Sequence, residues 1–435
     1  MKPLSDSVTR SGSTGAGVWW RIPLKAAADA AGKAATLVVT VAAARTLGGD
    51  AFGVLALGMT TGWLLGVATD AGLSMHLARE TARDPDRARA IAVEVMTVRG
   101  AMAYIAAALV TLLGSRVVPD PFRLAFVLIV LAQLGGAVLD TLAHLFRGLG
   151  RSEIESAVHL AQRGLTASLA LVVLWQWPRL DYLGVALVAP PLGALVIALA
   201  IASLLTSGGE DRAADADGPT SSAMRLTWRR FARDVLPIGA ATLISALYFR
   251  CDVYFVERWE GLNAAGGYNA VFRLVEAARL LPAAVMAVTF PALCRASTTG
   301  PVRRLGAGLL AAGLLGLAAL VAGASPIVEH TYGETVAPAV PALRVLALAL
   351  PLFFLNYALT HQVIGWDGHR AYLGIATAAL AANLAANLLL VPVYGMVGAA
   401  SSTILTEIVV TAGCLHVLRT ARPTFGSVEP AAEAI

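Results

Sequence analysis

The sequence predicts an all-α polytopic membrane protein with about twelve transmembrane helices in two six-helix bundles, and three observations carry that expectation. The chain of 435 residues is 57% hydrophobic and only 14% charged, with mean hydropathy +0.71, whereas an ordinary soluble domain is about a quarter charged. Apolar stretches of about 20 residues, long enough to cross a hydrocarbon core, recur along almost the whole length. The two halves also echo each other. LGGDAFGVLA parallels GLNAAGGYNA, and RGLGRSEIES with the later YLGVAL parallels GWDGHRAYLG with the later GMVGAA. Internal repeats of this kind are typical of transporters whose bundles rock about a central site.

In chain order the expected spans are 22–46, 51–77, 90–113, 122–144, 154–175 and 183–205, then 231–256, 267–293, 305–324, 338–364, 371–391 and 395–418. Helices are required here because backbone polar groups facing lipid must be satisfied within their own segment. The polar stretch SGGEDRAADADGPTSSAMRLTWRR divides the sixes. The domain reading is therefore an N-terminal bundle 1–206, a cytoplasmic linker 207–230 and a C-terminal bundle 231–435.

Arginine distribution orients the chain. Alternate loops carry Arg79, Arg83, Arg87 and Arg89, then Arg147 and Arg151, the linker arginines, Arg295, Arg303 and Arg304, and Arg370 and Arg419. The opposite ends carry chiefly Arg45, Arg116, Arg123, Arg179, Arg258 and Arg344, and the acidic loop SPIVEHTYGETV. By the positive-inside rule both termini are expected in the cytoplasm. Seven tryptophans fall near span ends, as interfacial anchors do, and Trp63 alone lies within a span. The N-terminus lacks the short uninterrupted apolar core of a cleaved signal peptide, so the first span is expected to be retained.

The composition excludes several classes. The net charge of +5 is spread over short loops, so no basic face for nucleic acid arises. Cys251, Cys294 and Cys414 show no CxxC spacing and read as buried small hydrophobes, with no metal site implied. RGLGR lacks the Lys-Ser/Thr of a phosphate-cradling loop, no HExxH occurs, and no catalytic constellation is apparent.

Charges inside spans carry the functional signal, because each costs roughly 2.5 to 3.5 kcal/mol at the bilayer centre on insertion scales. Span one places Lys25, Asp29, Lys33, Thr36 and Thr40 on one helical face. Two readings are open, a Lys–Asp–Lys ladder against a neighbouring helix and the wall of a hydrated cavity. Span eight, YNAVFRLVEAARLLP, carries Arg273, Glu276 and Arg279, and two guanidiniums against one carboxylate leave net positive charge suited to an anion. In span seven, Arg250 and Asp252 are two residues apart and cannot face each other. Asp252 shares a face with Thr242 and Ser245, a second stripe directed at the transport path. For Arg250 the candidates are Glu257, a neighbouring helix or an anionic substrate. Asp70, Asp140, His144, Arg147 and His159 lie near an interface and read mostly as ties between helices. Asn383 and Asn387 read as packing glue. Spans nine to twelve hold only Arg344 and Glu407, so a cavity would be basic in one region and greasy in another, fitting a substrate with an anionic head and an apolar tail.

The hairpin RTLGGDAFGVLAL, the Arg250-x-Asp252 pattern, GGYNAVFRLVEAARLLP with FPAL after it, and LFRGLGRSEIES together resemble the multidrug/oligosaccharidyl-lipid/polysaccharide exporter superfamily, and within it the bacterial oligosaccharide flippases of the Wzx type. The resemblance spans nearly the whole chain. It implies two bundles in an inverted V about a central cavity, alternating between inward-open and outward-open states in the bacterial inner membrane. The implied substrate is a polyprenyl-diphosphate-linked glycan moved from the cytoplasmic to the outer leaflet for cell-surface polysaccharide, with membrane lipid and the polysaccharide polymerase and chain-length machinery as partners. No cofactor is implied beyond a coupling H+ or Na+. Lys25, Lys33, Arg250, Arg273 and Arg279 are the expected diphosphate-binding residues. Asp29, Asp252 and Glu276 are expected to couple or gate, and Thr36, Thr40, Thr242 and Ser245 to line the cavity. Two alternatives are a cation-coupled multidrug exporter, with Asp252 or Glu276 as the coupling carboxylate, and a membrane-embedded polysaccharide polymerase or ligase, which the lack of a large external loop disfavours.

Overall fold

The computed structural model describes residues 21–206, 236–296 and 298–420. The linker expected over 207–230 lies outside the described residues. The described residues form helices and short turns without a strand: α1 (Arg21–Thr46), α2 (Gly49–Asp70), α3 (Leu73–Arg83), α4 (Ala88–Val117), α5 (Arg123–Gly148), α6 (Ser152–Gln176), α7 (Leu180–Thr206), α8 (Leu236–Arg250), α9 (Asp252–Ala278), α10 (Leu280–Arg295), α11 (Gly300–Thr331), α12 (Val340–Ala347), α13 (Leu350–Gly365) and α14 (His369–Thr420). Eight stretches are long and apolar enough to cross a membrane, or nine with the bent pair that ends in α12 and α13, which turns by 47°.

Two of these stretches, of 57 and 52 residues, are far too long for one crossing. A straight helix of 52 residues would run about 78 Å, against a hydrocarbon core of about 30 Å. Both fold back on a single glycine with positive φ, Gly261 (φ 87°) in α9 and Gly395 (φ 55°) in α14. The consequence shows in contacts. Arg250 and Glu276, which would lie about 39 Å apart on one straight helix, stand 2.6 Å apart. Asn383 and Thr406 close to 3.0 Å in the same way across Gly395. Counted by hairpin arms, the expected spans fall, over their described residues, on helices, broken pairs or arms.

One of the broken spans turns through two left-handed residues. The stretch 51–77 divides into α2 and α3 at Ala71 (φ 45°) and Gly72 (φ 88°). A left-handed non-glycine residue costs roughly 1–2 kcal/mol. Asp70 offsets this by accepting the backbone N–H of Gly72 and of Ser74, each at 3.2 Å, together with the Ser74 hydroxyl. Its carboxylate thus caps the first turn of α3.

The helices pack in two sets. In the N-terminal half α5 packs on α2 and α7, and α1 on α6; in the C-terminal half α13 packs on α11 and α14, while α8 and α9 pack on α14. The halves meet chiefly where α2 runs against α8 and α9. At the face opposite the arginine-rich loops this contact is sealed. A Cβ on Gly53 would collide with the Leu262 carbonyl, and one on Gly266 would come within 3.0 Å of the Gly53 backbone nitrogen. Small residues here let two backbones touch. Beside them Arg45 reaches across to the end of α11, donating from Nε to the Thr331 carbonyl at 2.8 Å and from Nη2 to that of His330. A cation on the last carbonyls of a helix also satisfies their dipole.

Candidate functional site

Between the two sets of helices lies a cavity with two arms, about 640 Å³ against the N-terminal helices and about 410 Å³ against the C-terminal ones. Trp63, Val67, Thr242 and Glu276 line both, so the arms communicate. The larger arm runs from Arg250, Arg273 and Glu276 to His144 and His159, toward the arginine-rich ends of α5 and α6. The one tryptophan that the sequence sets away from the span ends is thus a wall of the cavity.

Of the α1 stripe, Lys33 lines the smaller arm, and Thr36 and Thr40 line the larger. Both threonine hydroxyls bond back to carbonyls of their own helix, Gly32 at 3.0 Å and Thr36 at 2.8 Å, so they present mainly methyl groups. Lys25 and Asp29 fall on α1, and their side chains lie outside those described.

The Gly261 hairpin decides the partner of Arg250. Its guanidinium donates to Glu276 Oε2 at 2.6 Å and Asn269 Oδ1 at 3.1 Å, both on the returning arm. The rings of Phe249 and Phe272 flank it, with centroids at 5.3 and 4.9 Å. Glu257 is not its partner. Glu276 is thereby drawn to Arg250, and Arg273 and Arg279 have no ion-pair partner among the described residues.

Those two arginines are the open valences of the cavity. Arg279 sits in a box of aromatic faces, with centroids at 4.2 Å (Phe249), 4.5 Å (Phe353) and 5.5 Å (Tyr357). Its Nε and Nη1 are buried with no hydrogen-bond partner among the described residues. Arg273 Nε is likewise buried and unpartnered, while its Nη2 makes a weak contact to Met59 Sδ at 3.6 Å. A buried donor without an acceptor costs about 1–3 kcal/mol, more when charged. An incoming anion recovers that cost.

Asp252 lies away from the cavity, which corrects the expectation that it shares the Thr242 and Ser245 face. Thr242 and Ser245 do line the smaller arm. Between them and Asp252 the helix is interrupted at Cys251, where Tyr254 N–H bonds the Cys251 carbonyl three residues back, at 3.0 Å. The tightened turn rotates Asp252 into the C-terminal half, where it is 1% exposed. It accepts from Thr403 at 2.8 Å, Asn387 at 2.9 Å and Tyr268 at 3.1 Å. Asn383 joins this cluster through Asn387 and Thr406, and Asn387 Oδ1 remains without a partner. The two asparagines thus bond Thr406 and Asp252 across helix arms, as packing glue does.

Nearer the arginine-rich face the charges tie helices together. Arg147 pairs with Glu155, and His159 stands 3.5 Å from Asp140. Arg99, 1% exposed, donates to Thr141 at 3.1 Å, the Gly66 carbonyl at 3.1 Å and Thr69. Sequence reasoning missed the polar and aromatic lining of the smaller arm: Tyr248, Asn356, Tyr357, His361, Tyr372 and Glu407. A signal for Glu407 existed, as one of only two charges in spans nine to twelve. Nothing along the chain said what it would face.

The fold and its two-armed cavity define the class: a multi-pass helical membrane protein with the build of a solved transporter of the multidrug/oligosaccharidyl-lipid/polysaccharide exporter superfamily. The structure is similar to an inward-facing multidrug resistance MATE family transporter of this superfamily (TM-score 0.60, 16% identity, 88% of this chain and 93% of that one). It is similar also to the lipid II flippase MurJ in an inward closed conformation (TM-score 0.59, 13% identity, 92% and 88%). A third likeness is to a variant of the Vibrio cholerae MATE transporter VcmN (TM-score 0.56, 15% identity, 92% and 95%). At these identities the likeness is one of fold. No curated protein matches the chain in sequence. The chain belongs to the polysaccharide biosynthesis protein family, whose model matches residues 26–297.

Proposed function

We propose that this protein is a flippase for a polyprenyl-diphosphate-linked oligosaccharide, moving it from the cytoplasmic to the outer leaflet of a bacterial inner membrane for cell-surface polysaccharide synthesis. The observation that carries the reading is the pair of unpaired guanidiniums, Arg273 and Arg279, whose buried N–H groups lack acceptors inside a cavity large enough for a head group. A diphosphate presents several acceptor oxygens and two or more negative charges, which matches this deficit. Lys33 adds a compact charge beside the smaller arm, and Lys25 and Asp29 extend the α1 stripe toward the cytoplasm. Arg250 contributes by anchoring Glu276 and setting the local potential.

Glu276 acts as the resident counter-ion. It lines both arms and holds Arg250 at 2.6 Å; a diphosphate drawn to Arg273 and Arg279 adds negative charge beside it and shifts the balance between states. The bundles 1–206 and 231–435 rock about linker 207–230. The sealed face is then the periplasmic gate, and the arginine-rich face is cytoplasmic. Asp252 and its ring of oxygen-bearing partners supply the coupling site for H+ or Na+, outside the substrate path. Membrane lipid is the medium of the polyprenyl tail, and the polymerase and chain-length machinery receive the product.

The test is transport in proteoliposomes of a fluorescent polyprenyl-diphosphate glycan, with Arg273→Ala and Arg279→Ala each expected to lower the rate at least tenfold. Normal rates in both variants overturn the anion-site assignment. The cation-coupled multidrug alternative is opposed by Lys33 and Arg279 facing the aromatic arm. Growth in cationic dyes on overexpression separates the two.

A further inference from the structure

We propose that the smaller arm of the cavity, centred on Glu407, is a sugar-reading subsite that selects the glycan by its ring hydroxyls. This rests on the flippase reading above and adds to it where the head group goes and what discriminates it.

Glu407 is 5% exposed. Its Oε2 accepts from Asn356 Nδ2 at 2.7 Å, and the same nitrogen reaches the Glu407 carbonyl at 3.1 Å. Thr411 in turn donates to Asn356 Oδ1 at 2.8 Å, which fixes the amide. The carboxyl is therefore held by Asn356 on α13, itself fixed by Thr411 on α14. Glu407 is one of the residues that line the smaller arm.

What surrounds it suits a sugar ring. Tyr357 and His361 stack with centroids 5.9 Å apart at an interplanar angle of 13°, and both line the arm. Ser245 and Tyr372 share a hydrogen bond of 3.1 Å across the arm. Aromatic faces take the C–H face of a pyranose, and a fixed carboxylate with neighbouring hydroxyls reads its O–H groups. Arg279 is the cationic neighbour of Glu407 and stands at the same arm, so a ring seated here keeps its diphosphate within reach of Arg279. A buried site built to bond a hydroxyl also rejects a substrate that lacks it, because its own polar atoms are left unpaired.

The experiment measures binding to the purified full chain of two probes, a polyprenyl diphosphate without sugar and a panel of the same lipid carrying one hexose or N-acetylhexosamine of differing hydroxyl configuration. Wild type is expected to bind at least one sugar-bearing lipid more tightly than the bare lipid. Glu407→Gln, which keeps the volume, is expected to erase about ten- to a hundredfold of that preference, read as the ratio of the two affinities. Tyr372→Phe loses a few-fold, and Arg273→Ala weakens both probes alike. The proposal is overturned if Glu407→Gln and Tyr372→Phe both keep the preference, if they weaken bare and sugar-bearing lipids equally, or if wild type shows no preference across the panel. In those cases binding of the bare lipid still stands. Failure of wild type to bind either probe overturns the flippase reading itself, and this proposal with it.

Discussion

Replacing Arg250 by alanine separates what holds the fold from what meets the substrate. The substitution leaves Asn269 Oδ1, on a residue 1% exposed, without its donor, at about 1–3 kcal/mol. It also breaks the ion pair with Glu276, whose arginine end is 9% exposed and whose glutamate end is 41% exposed. Breaking a fully buried pair costs about 3–5 kcal/mol and an exposed one about 0–1. With one end half in the cavity, about 1–2 kcal/mol is the fitting figure. The expected loss is then about 2–5 kcal/mol, read as a lower midpoint of folded protein in a denaturant titration of the purified protein. Glu276→Gln in the same chain should recover about 1 kcal/mol of it, because the uncompensated carboxylate is removed. Arg279→Ala breaks no hydrogen bond among the described residues and should cost less stability than Arg250→Ala while costing more transport. The reasoning is refuted if Arg250→Ala unfolds within about 0.5 kcal/mol of wild type, or if the two substitutions are simply additive.

Three further outcomes test the geometry. Gly53→Val drives a side chain into the Leu262 carbonyl and should hold the sealed face apart, raising maleimide labelling of an Asn263→Cys reporter in a chain stripped of its native cysteines; unchanged labelling contradicts the seal. Gly261→Ala puts an L side chain at φ 87° and should lower stability by about 1–2 kcal/mol, whereas Gly308→Ala, with open space around it, should not. Asp252→Ala strips the acceptor from Thr403, Asn387 and Tyr268 and should destabilise by several kcal/mol at about 1–3 per stranded group. Asp252→Asn should keep the fold and abolish any dependence of transport on the H+ or Na+ gradient; intact gradient dependence in Asp252→Asn removes it from the coupling role.

The spans were legible because a bilayer imposes a one-dimensional rule: about 20 apolar residues per crossing, charges at the ends, tryptophan at the interface. That rule reads from local composition. It also singled out Arg273, Glu276 and Arg279 as expensive residues that need a reason. The break at Ala71 and Gly72 was not legible, since it depends on Asp70 folding back onto the next turn.

The sequence by itself determined where the chain crosses, and which side chains are too costly to be idle. Only the tertiary structure decided whom those side chains meet. Helical spacing showed that Arg250 and Asp252 cannot pair, but their partners lie 19 to 26 residues away across Gly261 and up to 151 residues away on α14. Periodicity describes one helix at a time. The pairing of Arg250 with Glu276, the stranding of Arg279 among Phe249, Phe353 and Tyr357, and the meeting of Glu407 with Tyr372 all arise from packing between helices. Hairpin closure and bundle packing fix those neighbours in space, so no single stretch of sequence carries them.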